Sequence, residues 1–170
     1  MTSIRSSQRH ATAAELAAEV RGEMKDAWLP NIYSRRIRTM RTRAYAFESL
    51  PKQPRVQIQH TLLGVELKTG NRRQLCPDLA TARYLSVFAR AGCSKVAVPY
   101  DITKISHLAD ELESSWHRMF LFADKRSAGR PEAFRSRLRR MLTGMIRSEI
   151  EAVGPGSASP EFNQSTKQRS

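Results

Sequence analysis

Between Arg55 and Asp101 two hydrophobic periods stand side by side, and a segment can satisfy only one of them. Val56, Ile58 and His60 alternate with Gln57, Gln59 and Thr61. The run then continues through Leu62-Leu63-Gly64-Val65-Glu66-Leu67-Lys68 to the turn signal Thr69-Gly70-Asn71. This reads as a strand or a bent hairpin ending near Lys68. Leu79, Ala82, Leu85, Phe88 and Ala91 follow at helical spacing, Gly92 stops the helix, and Lys95-Val96-Ala97-Val98-Pro99-Tyr100 is a short strand. The core of the chain is therefore strand, helix, strand.

The flanks are helical. Thr12 and Glu15 form a capping box ahead of Leu16, Val20 and Met24, which predicts a helix over about 12–28 that Pro30 interrupts. Asp101 stands as an N-cap before the stripe Ile105, Leu108, Leu112, Trp116 and Met119, giving a helix over about 102–123. Pro131 opens a last helix lined by Leu138, Leu142, Ile146 and Ile150, and Gly154-Pro155-Gly156 ends it. The expected fold class is α+β. A small mixed sheet around 55–68 and 94–99 is packed by amphipathic helices at 77–91 and 102–123, with N- and C-terminal helices added. The expected organisation is a disordered arm over 1–10, a single α+β domain over 11–153 and a disordered tail over 154–170.

Charge narrows the class of partner. The 170 residues hold 29 Lys and Arg against 16 Asp and Glu, a net charge of +13, which is the footprint of a polyanion-binding protein. Arg35, Arg36, Arg38, Arg41 and Arg43 fall within nine residues that contain no acid. Arg135, Arg137, Arg139 and Arg140 form a second group on the last helix. Guanidinium groups bind phosphate in bidentate fashion, so the expected function is binding of DNA or RNA, mainly through phosphates. The alternative partner is an acidic protein, with the chain as a regulatory or assembly factor and the amphipathic last helix as its docking element.

No run approaches the roughly 18–20 apolar residues of a membrane span, and Met1-Thr2-Ser3-Ile4-Arg5 lacks a signal-peptide core. A soluble, cytoplasmic protein with no membrane partner is expected. Cys76 and Cys93 form no C-x-x-C pair and are expected to be reduced, buried thiols without a metal or redox role.

One triplet points to chemistry. Glu66 and Lys68 project from the same face of a largely apolar strand, where a carboxylate beside an ammonium can hold a divalent cation and polarise a water. The order of this strand, the turn Thr69 to Arg73, the helix Asp78 to Ala91 and the strand Lys95 to Val98 resembles the core of PD-(D/E)xK nucleases, particularly Holliday-junction resolvases. The resemblance covers fewer than 50 residues. It implies that Glu66 binds Mg²⁺ and Lys68 assists catalysis in a metal-dependent endonuclease. The window where that family carries its metal-binding Asp holds Pro54-Arg55-Val56 instead, and this favours a degenerate, non-catalytic nuclease-like core. Outside the nuclease alternative no cofactor and no metal site are expected. The four histidines show no metal-ligand spacing, and no nucleophile elbow or phosphate-binding glycine loop is present.

Overall fold

Thr12 opens the first helix as the capping box requires: its Oγ1 accepts a hydrogen bond from the Glu15 N–H at 3.1 Å. The computed structural model, which describes residues 10–48, 50, 51 and 54–156, gives this helix, α1, the span Ala13–Met24, with Leu16, Ala17, Val20 and Met24 buried along one side. It ends before the expected residue 28 because Lys25 adopts a φ of 51°, which an α-helix cannot continue. Pro30 does not interrupt that helix. It lies in the first turn of a second one, α2 (Leu29–Ile32), where its missing N–H has no intrahelical partner to lose. A π-helical turn, Tyr33–Ile37, extends α2, burying Tyr33 and Ile37 and leaving Arg35 and Arg36 outside.

The basic segment then becomes a strand. β1 (Thr42–Ala46) pairs antiparallel with β5 (Lys95–Pro99), Thr42 opposite Pro99 and Ala46 opposite Lys95. β2 (Val56–Thr61), β3 (Gly64–Thr69) and β4 (Arg72–Cys76) form a separate antiparallel meander. The bent hairpin was legible in the sequence; β4 was not. The fold is α+β as expected, but the single mixed sheet is replaced by two antiparallel ones. β5 cannot join the meander because its second edge is already taken. The Ala97 N–H donates to the Tyr33 hydroxyl at 2.9 Å, and the Tyr84 hydroxyl donates to the Ala97 carbonyl at 2.6 Å.

Asp78 caps α3 (Leu79–Arg90) by accepting the Thr81 N–H at 2.7 Å, and this helix lies on the inner face of the meander. Asp101 caps a short 3₁₀ turn, Ile102–Lys104, that leads into α4 (Ile105–Arg126). α4 packs on α3, and α5 (Glu132–Val153) packs on α1 and α4. Trp28, Tyr33, Tyr84, Phe88, Leu112 and Leu142 are fully buried between these layers.

Ion pairs join the helices at their rims: Arg21 to Glu149 at 2.6 Å, Arg126 to Glu23 at 2.7 Å, and Arg83 to Asp110 and Glu113. Pro131 sits one residue before α5, at its N-cap. At the other end, Gly154 takes the positive φ of 91° that closes the helix, and its carbonyl accepts the Tyr33 hydroxyl at 2.7 Å. Gly156 is buried, so the packed structure reaches at least three residues into the segment expected to be a tail. Residues 1–9 of the expected arm and 157–170 of the expected tail lie outside the described residues. Among the described residues no helix is long and apolar enough to cross a membrane.

Candidate nucleic-acid interface

The arginines singled out by the sequence divide according to whether an acid is within reach. Arg35 lies 2.7 Å from Asp26, and Arg36 binds Glu111 of α4. Arg135 and Arg139 share Asp124, at 3.6 and 2.7 Å. Arg38 is half-buried; its Nε is shielded and its Nη1 lies against Gly156. Arg36, Arg38, Arg135 and Arg139 are engaged in the packing of the fold, whereas the Arg35–Asp26 pair lies wholly at the surface. Arg43, Arg137 and Arg140 are exposed and form no ion pair among the described residues. The Arg41 guanidinium lies 5.0 Å from the centre of the exposed Tyr100 ring.

The two arginine groups are not brought together. The end of α5 at Gly154 meets Tyr33, whereas Arg140 lies roughly four turns earlier, about 21 Å along the axis. The remaining exposed cations of the strand side stand in two places. Arg41 with Tyr100 stands at the start of β1 and Arg43 within it. Ala46 and Glu48 at its far end face Thr69, Asn71, Arg72 and Arg73 across a groove of about 500 Å³. Arg72 and Glu48 are 3.5 Å apart and both well exposed, a weak pair that a phosphate can displace.

The meander adds the outer face next to this groove. Leu67 and Thr69 turn inward, so Glu66 and Lys68 turn outward and share a face with Gln57, Gln59, Arg73 and Leu75. Lys68 stands directly opposite Arg73 in the β3–β4 ladder. Like charges in that position destabilise a sheet, and among the described residues neither has an ion-pair partner. Arg55, exposed at the start of β2, adds a further cation at the turn end: its carbonyl accepts the Gly70 N–H at 2.8 Å.

Glu66 and Lys68 therefore do share a face, as the triplet predicts, but among the described residues of the meander Glu66 is the only acid on it. Among the described residues no three His, Cys, Asp or Glu side chains gather as a metal site. Mg²⁺ is held by one or two carboxylates together with substrate phosphates and waters, and here a single carboxylate stands near Lys68 and Arg73. The donor set does not fit a divalent cation well.

Burial raises the Cys76 thiol above its ordinary value and pushes Cys93 up to about 12, so both are protonated and inert at neutral pH. A second cavity, of about 480 Å³ beside α4, mixes Asp26, Asp110 and Glu111 with Arg36 and Arg118, a balance that does not suit a polyanion.

Arg55, Arg72, Arg73 and Tyr100 belong to the candidate surface but were not singled out in the sequence. The Arg72-Arg73 pair directly after the Gly70-Asn71 turn was the available signal, since a charged pair beginning a strand marks an exposed edge. In comparisons with protein-family models, curated proteins and solved structures, no match to this chain was found.

Proposed function

We propose that this protein binds nucleic acid through its strand side, with Arg41, Arg43, Arg55, Lys68, Arg72 and Arg73 contacting phosphates. The observation that carries the reading is the opposition of Lys68 and Arg73 with no acid paired to either. The fold bears a repulsion there that a polyanion relieves. Arg41 and Tyr100, 5.0 Å apart at the start of β1, offer a cation to a phosphate and an aromatic ring to a base. Arg36, Arg135 and Arg139, paired between helices, have a structural role in this reading. Arg137 and Arg140 form a separate, smaller patch.

Fluorescence anisotropy on duplex and single-stranded DNA and RNA tests the proposal. Affinity falls by orders of magnitude between about 50 and 200 mM salt if several phosphates are neutralised. The double substitution Lys68→Glu/Arg73→Glu weakens binding to all sequences alike, and Arg137→Glu/Arg140→Glu does so less. Absent or salt-insensitive binding overturns the reading and favours an acidic protein partner.

A further inference from the structure

Leu62 and Leu63 form the two-residue tip between β2 and β3 and are exposed to 107% and 83%. Leu75, 58% exposed, stands behind them, its Cδ1 3.6 Å from where a Cβ on Gly64 would lie. Tips of this length usually carry Asn or Gly. Here the turn is braced from below. The Thr61 Oγ1 accepts the Leu63 N–H at 3.2 Å and donates to the Gly64 carbonyl at 3.0 Å, while Gly64 takes a φ of 127°. The leucines are thus held outward on a rigid mount, with apolar surface facing water and no partner in the fold.

Resting on the nucleic-acid reading above, we propose that this tip is a wedge that enters a weakly stacked base step of a nucleic-acid duplex while Lys68 and Arg73 hold the flanking phosphates. Apolar side chains inserted between base pairs unstack them, and the step opens most readily where pairing or stacking is already weak. The dimensions agree. Lys68 lies four residues behind Gly64 on β3, about 13 Å from the foot of the tip and about 17 Å from Leu63. With the tip at the floor of a groove roughly 7.5 Å deep, the cations reach the backbone that borders it. Gln59 and Glu66 line the face between tip and cations, and Gln57 stands level with Lys68. Base edges and sugars match such hydrogen-bonding groups, and lipid acyl chains do not.

The test uses the full chain and DNA and RNA duplexes carrying 2-aminopurine at a central step, either fully paired or mismatched there. Wild type is expected to favour the mismatched duplex by about tenfold or more and to raise 2-aminopurine emission, in DNA, RNA or both. Leu62→Ser/Leu63→Ser loses both effects yet keeps salt-dependent binding to the paired duplex; an unchanged thermal midpoint shows that it is folded. Binding without discrimination or emission change overturns the wedge and leaves the proposed function standing. No binding to any nucleic acid removes both. Discrimination that survives in the leucine variant also overturns the wedge. So does leucine-dependent binding to phosphatidylserine vesicles without an emission change, which identifies a lipid surface as the tip's partner.

Discussion

The hydroxyl of Tyr33 accepts a hydrogen bond from the backbone N–H of Ala97 at 2.9 Å, on the edge of β5 that β1 leaves open. The same hydroxyl donates to the Gly154 carbonyl at 2.7 Å, so one side chain ties the end of α5 to the centre of the small sheet. Tyr33→Phe keeps the ring and leaves the buried Ala97 N–H unpaired. The expected loss is about 1–3 kcal/mol in urea unfolding, with the slope unchanged. An unchanged midpoint would show that this N–H finds another partner.

Gly156 is a second fixed point of the C-terminal segment. A Cβ there would lie 2.8 Å from the Thr42 Oγ1 and 2.9 Å from the Arg38 Nη1, and the residue has a φ of 86°. Gly156→Ala is therefore expected to destabilise by about 1–2 kcal/mol, from the backbone conformation alone. Truncation tests the two anchors together. A chain ending at Gly156 keeps both contacts; one ending at Val153 loses both and melts several degrees lower. Equal melting temperatures for the two chains would dismiss the anchoring role.

Glu149 gives the fold an acid limit. Burial pushes its carboxyl up, but hydrogen bonds from Arg21 and Trp28 outweigh that and hold it below its ordinary 4.5. A group whose pKa is lowered on folding contributes stability that is complete above the unfolded value and lost as pH falls through the folded one. Glu149→Gln should then be less stable than wild type at pH 7, by roughly 1 kcal/mol after solvent screening. The gap should close as pH drops below about 4.5. A gap that stays constant down to pH 3 would refute the account.

Arg73→Glu separates stability from binding. Facing Lys68, it turns a repulsive pair into an attractive one and should raise stability by about 0.2–1 kcal/mol, while nucleic-acid affinity falls. Arg35→Glu, which breaks a pair with Asp26, should do little to binding. Parallel melting and anisotropy on the two variants check this, and loss of stability in Arg73→Glu would argue against it.

The four long helices and several of their caps were legible because each depends on residues close in sequence: Thr12 with Glu15, Asp101 with Thr103, Gly154 with Ile150. β1 was hidden. Its five residues are too few to show a clear period, and its partner lies beyond β2, β3, β4 and α3. β4 was hidden for a related reason, since an outer strand that alternates Arg73 and Leu75 on its exposed face lacks the apolar-in, polar-out signature. For the interface, Arg41 and Arg43 were found by charge density alone. The neutralisation of Arg36 by Glu111, and of Arg135 and Arg139 by Asp124, required the packing of separate helices and left no trace in local composition.

The pairing of β1 with β5 also sets an order of events in folding. β2, β3 and β4 are joined by two-residue turns and close within microseconds as local hairpins, whereas the ends of β1 and β5 are roughly fifty residues apart in the chain. The Thr42–Ala46 ladder can form only after the meander and α3 have brought Lys95–Pro99 into place. Substitutions along β1 should therefore speed unfolding and leave the refolding rate almost unchanged, while those in the β2–β3 hairpin slow refolding.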